Sequence, residues 1–302
     1  MLKNLEHFVQ VLKIEKNHSA NTINSYLSDI KSFEKYLIKR KITFKKTINE
    51  SDVVKKYFRY LSRSKISSTS IKRKYSSLSS YFSYLLDRKI IKKNPLNGIY
   101  TPKLIKKLPT VLSVEEIEKI FKESENNDNE LLGLRDRCII ELLYSCGLRV
   151  SELCSLKVNN LQFDSNVIRF FGKGNKERII PLTFYAKEWL EKYLYQSRQI
   201  LSNRKSSEHK FVFLSNNGKR LTRAAIWQSI KKYVKAAGIV KTVSPHTFRH
   251  SFATHLVDGG ANLIEIQKLL GHSDISTTEI YVHLSKEFID SEYMKAFDKK
   301  KN

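Results

Sequence analysis

The sequence predicts a mainly α-helical chain with one small β-sheet, in two domains: a helical domain at 1–90 and a mixed α/β domain at 108–297. Three observations carry this. Apolar residues recur at helical spacing through most of residues 1–90. A lysine- and proline-bearing stretch without periodicity, 91–107, follows as a linker. Beyond it, well-capped helical segments flank two short strand-like runs joined by Gly172-Lys173-Gly174-Asn175.

In the first domain, Asn21 stands as an N-cap, and Ile23, Tyr26, Leu27, Ile30, Phe33, Tyr36 and Leu37 follow at helical spacing. Val53, Val54, Tyr57, Phe58 and Leu61 make a second stripe. Ile71, Tyr75, Leu78, Phe82, Leu85 and Leu86 make a third. These stripes are expected to face a core. Lys55, Lys56, Arg59, Lys72, Arg73 and Lys74 lie on the polar faces between them, so the domain reads as a small helical bundle with one basic side. The linker region carries Pro95, Pro102 and Pro109, together with Lys92, Lys93, Lys103, Lys106 and Lys107.

The second domain opens with a capping box, Ser113 with Glu116, and with Leu112 and Ile117 placed as its hydrophobic staple. Leu132, Leu134, Cys138, Ile139, Leu142 and Leu143 give a buried helix that Gly147 stops. Residues 167–171 and 178–182 read as strands, with Lys173 at the tip of the hairpin between them. Ser244 and Pro245 supply the N-cap and first position of another helix. Asp258-Gly259-Gly260 ends it, Asn262 starts the next and Gly271 ends that. Ser276 and Glu279 form a second capping box, which puts Tyr281 on a short helix. Residues 286–302 read as a final helix that frays into a lysine-rich tail at 298–302.

The charge narrows the function classes. The chain of 302 residues holds 55 Lys and Arg against 30 Asp and Glu, a formal net charge of +25. Residues 1–107 hold 25 of the basic and 7 of the acidic residues, so a third of the chain carries most of the surplus. Such a surplus argues for a polyanionic partner, because Lys and Arg that neutralise phosphates release condensed counterions. A basic linker between two basic domains suits a clamp that closes around DNA. No stretch approaches the roughly 20 apolar residues of a membrane span. Residues 1–10 contain no uninterrupted apolar run, so neither membrane insertion nor a signal peptide is expected. Cys138, Cys146 and Cys154 are few, odd in number and without CxxC spacing. They read as buried thiols in a reducing cytoplasm rather than as disulfides or a zinc site.

Taken singly, the chemistry-bearing residues have plain structural readings. His246 and Arg249, at i and i+3, share one face in the first turn of a helix, where free backbone N–H groups can hold a phosphate; such a pair is usually surface decoration. His272 after Gly271 reads as a helix C-cap. Arg149 and Glu152 read as a local salt bridge, Lys173 as a solvated hairpin tip, and Tyr281 as packing. Their combination, in this order, is more specific. The segments Cys146-Gly-Leu-Arg-Val-Ser-Glu-Leu153, Gly172-Lys-Gly-Asn-Lys-Glu-Arg178, His246-Thr-Phe-Arg-His-Ser-Phe-Ala-Thr-His255 and Leu269-Leu-Gly-His-Ser-Asp-Ile-Ser-Thr-Thr-Glu-Ile-Tyr-Val-His283 resemble the tyrosine recombinase (phage integrase-like) family, specifically its bacterial Xer-type site-specific recombinases. The resemblance covers nearly the whole chain. Glu279 and Val282 depart from the Gln and Thr common in the family, at positions not expected to touch phosphate.

The resemblance implies a helical N-terminal core-binding domain and a mixed α/β catalytic domain. Tyr281 would attack a scissile phosphate to give a 3′-phosphotyrosine and a free 5′-hydroxyl. Arg149 and Arg249 would fork the non-bridging oxygens, a planar bidentate role that lysine cannot copy. Lys173 would be the general acid. A lysine of pKa about 10.4 is a slow acid unless cations lower it, and Lys176 and Arg178 are placed to do so. His246 would assist as acid or base, His272 would hydrogen-bond the phosphate, and Glu152 would orient Arg149 or its helix. No metal or other cofactor is implied. Because a covalent ester preserves the bond energy, rejoining needs no ATP.

The implied partners are double-stranded DNA at a specific recombination site and a homo- or hetero-tetramer with a related recombinase. A septal DNA translocase is a candidate regulator, and the expected location is cytoplasmic. The implied role is resolution of chromosome dimers at cell division, with a mobile-element integrase as the alternative. A type IB topoisomerase and a DNA-binding protein without catalysis are the further rivals. The sequence leaves open the target site, a one- or two-recombinase system, and whether the face formed by Ile289, Tyr293, Met294 and Phe297 docks in cis or on a neighbouring protomer.

Overall fold

The computed structural model describes residues 4–64, 66–99, 110–171, 177–204, 208–262, 264 and 266. The hairpin tip at 172–176, the helix end at Gly271, the capping box of Ser276 with Glu279, and the segments around Lys173, His272, Tyr281 and 288–297 lie outside the described residues. The chain divides into two compact units, Met1–Lys107 and Leu108–Asn302.

The described residues of the first unit form the helices α1 (Leu5–Ile14), α2 (Ala20–Lys39), α3 (Phe44–Asn49), α4 (Ser51–Arg63) and α5 (Ser68–Asp87). The cap of α2 is Ser19, not Asn21. The Ser19 hydroxyl accepts the Thr22 N–H at 3.2 Å, and this earlier start draws Ala20 and Asn21 into the helix. Ile23, Ile30, Phe33, Leu37, Val54, Tyr57, Leu61, Ile71, Leu78, Phe82 and Leu85 are buried in one core with Phe8, Leu12 and Tyr81. Leu86, expected in that stripe, faces solvent. Asp29 is buried beneath α5, where it accepts Ser77 Oγ at 2.9 Å and Lys74 Nζ at 3.2 Å and pairs with Arg73. Ile91 and Leu96, from the stretch expected as linker, are buried against this same core.

The second unit is α/β. Helix α6 (Val114–Glu125) begins at the expected capping box: Ser113 Oγ accepts the Glu116 N–H at 3.3 Å, and Glu116 Oε2 accepts the Ser113 N–H at 2.8 Å. Helix α7 (Glu130–Ser145) is central, packed by α6, by α9 (Phe184–Lys192), by the π-helical turn Tyr193–Arg198 and by α12 (Pro245–Asp258). Among the described residues the unit also holds α8 (Val150–Ser155), a 3-10 turn at Val158–Asn160, α10 (Gln199–Ser202) and α11 (Arg223–Ala236). Strands β1 (Leu161–Gln162), β2 (Val167–Phe171) and β3 (Glu177–Pro181) form an antiparallel sheet in sequence order, with Ile168 opposite Ile180 and Phe170 opposite Arg178. Cys138, Cys146 and Cys154 are all buried thiols, outside any disulfide. Among the described residues, no helix is long and apolar enough to cross a membrane.

The α7 helix buries charge as well as hydrocarbon. The Arg137 guanidinium lies 3.4 Å from the Phe121 ring centroid and 4.3 Å from that of Trp189. It donates to Glu141 at 2.6 Å and to Glu125 at 2.9 Å. Glu141→Ala removes the fully buried carboxylate and leaves Arg137 with the more exposed Glu125, so it should destabilise this unit by about 1–3 kcal/mol. Urea unfolding checks this; an unchanged midpoint would show that Glu125 alone satisfies Arg137.

Candidate active site

Gly147 closes α7 with φ +56, a left-handed backbone that glycine adopts without strain. The reversal sets Arg149 as the residue before α8. Glu152, in the first turn of α8, reaches back to it: Oε2 accepts the Arg149 backbone N–H at 2.7 Å and Oε1 accepts Arg149 Nη1 at 2.9 Å. From β3, Arg178 Nη1 donates to the same Oε1 at 2.5 Å. From α12, Arg249 Nη1 donates to the Gly147 carbonyl. A helix stop, a helix start, a strand and a second helix thus bring Arg149, Glu152, Arg178 and Arg249 together.

Within this network one carboxylate faces three guanidiniums. Arg249, only 8% exposed, has its pKa lowered to about 10, first by burial and then by the neighbouring charges of Arg149 and Arg178, with Glu152 opposing. An arriving anion would relieve that repulsion, which makes the place chemically suited to a phosphate.

His246 is exposed in the first turn of α12, after the Ser244 cap and Pro245. Thr247 Oγ1 accepts the Ser244 N–H at 3.0 Å. Other members of the His246–His255 segment serve the fold: Ser251 Oγ accepts the Leu112 N–H at 2.9 Å, and His255 Nδ1 shares a 2.9 Å hydrogen bond with the Tyr144 hydroxyl. Lys173, His272 and Tyr281 are outside the described residues. The sequence reading gave Arg178 a place only as a neighbour of Lys173. Alternation along β3 carries a signal for more, because Arg178 shares a strand face with the fully buried Ile180.

In the first unit, Lys31, Lys35 and Lys39 of α2 and Arg40 just after it line a groove of about 710 Å³ with Tyr36, Tyr57 and Tyr60. Tyr36 lies 5.0 Å from Tyr57 and 5.3 Å from Tyr60 between ring centroids, and Arg40 sits 5.5 Å over the Tyr36 ring. Cationic side chains beside aromatic faces are a composition that suits nucleic acid.

The model of the phage integrase family matches residues 110–287. The chain belongs to the phage integrase family. The model of the phage integrase N-terminal SAM-like domain matches residues 5–89. Among the family's tyrosine recombinases, the chain is 42% identical over 283 residues to tyrosine recombinase XerD of Listeria monocytogenes serotype 4b, covering 93% of this chain and 94% of that one. It is 40% identical over 292 residues to tyrosine recombinase XerD of Oceanobacillus iheyensis, covering 96% of each. The structure of XerH site-specific recombinase bound to difH substrate, a pre-cleavage complex, is similar with a TM-score of 0.66 and 26% identity, over 97% of this chain and 85% of that one. The Tn1549 transposon integrase in complex with transposon right end DNA shares the fold, with a TM-score of 0.69 at 19% identity over 94% of this chain and 98% of that one. The enzyme is a site-specific tyrosine recombinase.

Proposed function

We propose that the enzyme cuts and rejoins duplex DNA at a specific site through a 3′-phosphotyrosine on Tyr281, and that it resolves chromosome dimers at cell division. The observation that carries the chemical reading is the gathering of Arg149, Arg178 and Arg249 about the Glu152 carboxylate. Arg149 and Arg249 hold the non-bridging oxygens of the scissile phosphate. Lys173 protonates the leaving 5′-oxygen, His246 serves as acid or base, and His272 donates to the phosphate. The ester then passes to a new 5′-hydroxyl, and strand exchange proceeds in a tetramer on DNA in the cytoplasm. The cellular role is supported by the XerD relatives, which align over nearly their whole length.

Covalent capture tests the cellular role. The full chain is incubated with fragments of the host chromosome, denatured, and the DNA attached to protein is sequenced. Attachment at one chromosomal site supports dimer resolution. Attachment at the ends of mobile elements would replace that role with integration.

The α2 groove is the proposed contact for the DNA backbone in the first unit. Affinity should fall with salt at a log–log slope of about −0.9 per phosphate neutralised. Lys31→Gln and Lys35→Gln should each reduce the slope's magnitude by about 1. A slope unchanged by both substitutions, measured by filter binding across a salt series, would move the DNA contact to another face.

A further inference from the structure

We propose that Arg178 is a positioning residue for strand cleavage: through Glu152 it sets the pose of the Arg149 guanidinium. The inference rests on the reading that Arg149 holds the scissile phosphate. Both oxygens of Glu152 are in use. Oε2 is fixed on the Arg149 backbone N–H, and Oε1 is shared between Arg149 Nη1 at 2.9 Å and Arg178 Nη1 at 2.5 Å. With Arg149 as its sole partner, the carboxylate would neutralise that guanidinium and turn its fork inward. Sharing Oε1 with Arg178 divides the carboxylate between two guanidinium donors, so it is drawn toward β3 and its hold on the Arg149 fork is moderated.

Depth separates the roles of the two arginines. The Arg178 side chain is 16% exposed and that of Arg149 is 35% exposed, so Arg178 lies on the more enclosed side of Glu152 and Arg149 on the more open side. Strand β3 is a firm platform for this contact, since its backbone pairs with β2 along its whole length. Arg178 occupies the strand face on which Ile180 is fully buried, where an apolar side chain would pack without desolvating a charge. A guanidinium at that position is explained by the carboxylate it holds.

The test compares Arg178→Gln, Arg178→Lys, Glu152→Gln and the double variant Arg178→Gln/Glu152→Gln in the full chain, with Arg149→Ala as control. Single-turnover cleavage of a nicked duplex of the captured site, DNA affinity and the urea midpoint are measured for each. Arg178→Gln should slow cleavage about 10²-fold, as expected for a misplaced phosphate-binding group, with affinity and midpoint near wild type. Arg178→Lys, which keeps a charge and one donor, should recover part of the rate. The double variant should be no slower than Glu152→Gln, because both substitutions remove one coupled function.

Losses that multiply in the double variant would show that Arg178 acts independently of Glu152 and overturn the proposal. Parallel losses of rate, affinity and midpoint in both Arg178 variants would assign Arg178 a structural role and overturn it equally. Wild-type cleavage by Arg178→Gln beside an inactive Arg149→Ala would remove this proposal alone. Wild-type cleavage by Arg149→Ala would remove the phosphate-site reading beneath it.

Discussion

Arg249→Ala is expected to slow strand cleavage by at least about 10²- to 10³-fold, the usual effect of deleting one preorganised donor from a developing oxyanion. It should leave most DNA affinity in place. The guanidinium is anchored by the Gly147 carbonyl, in the turn that also sets Arg149, so its position is fixed before substrate arrives. Folding should survive the change. Burial and the charges of Arg149 and Arg178 disfavour the protonated form of Arg249 in the folded protein, so its removal relieves repulsion while it leaves a gap. The urea midpoint should therefore move little.

Arg249→Lys should not restore the rate, because an ammonium cannot fork two oxygens. The pH dependence has a definite sign. A pKa lowered to about 10 leaves Arg249 cationic throughout the neutral range, and a bound phosphate would raise it again. Loss of cleavage through this group can begin only near pH 10. Single-turnover cleavage beside filter binding checks these outcomes, and wild-type rates in Arg249→Ala would remove its assigned role.

The parts of the molecule that could be read from sequence are those whose causes are local. The Ser113–Glu116 box, the Gly147 stop, the Ser244–Pro245 start and the two hairpin strands depend on residues within a turn of one another, and each is found in place. The sequence reading placed the α2 cap at Asn21; the Ser19 hydroxyl, which reaches the Thr22 N–H, sets the start two residues earlier. Helix α1 was not read separately; its cap, Asn4, is a residue type suited to a helix start, but it adopts a left-handed backbone and makes no side-chain cap bond. In the site, Arg149 with Glu152 was legible because the pair spans one turn. Arg178 was not, since its partner lies 26 residues away and is met only when β3 is laid beside α8. The anchor of Arg249 on Gly147 spans 102 residues and is likewise tertiary.

Tyr281→Phe is expected to abolish the covalent protein–DNA species entirely. The substitution removes one oxygen and little else, so the fold should persist and DNA binding should be retained. The proposed bond is between that oxygen and phosphorus, and no neighbouring carbon can replace it. A phenol of pKa about 10 is mostly protonated near neutrality, and it needs the phosphate neutralised and a proton acceptor nearby. Arg149 and Arg249 are proposed for the first need and His246 for the second. The substrate is a duplex nicked close to the cleavage point, so that the short fragment diffuses away and the ester accumulates. A denaturation-resistant band with wild type and none with Tyr281→Phe fixes the nucleophile. Bands with both proteins would mean that another side chain attacks. The arginine cluster would then still serve the phosphate, but the tyrosine assigned to it would be wrong. Running Arg249→Ala in parallel separates these cases, because it should silence either nucleophile.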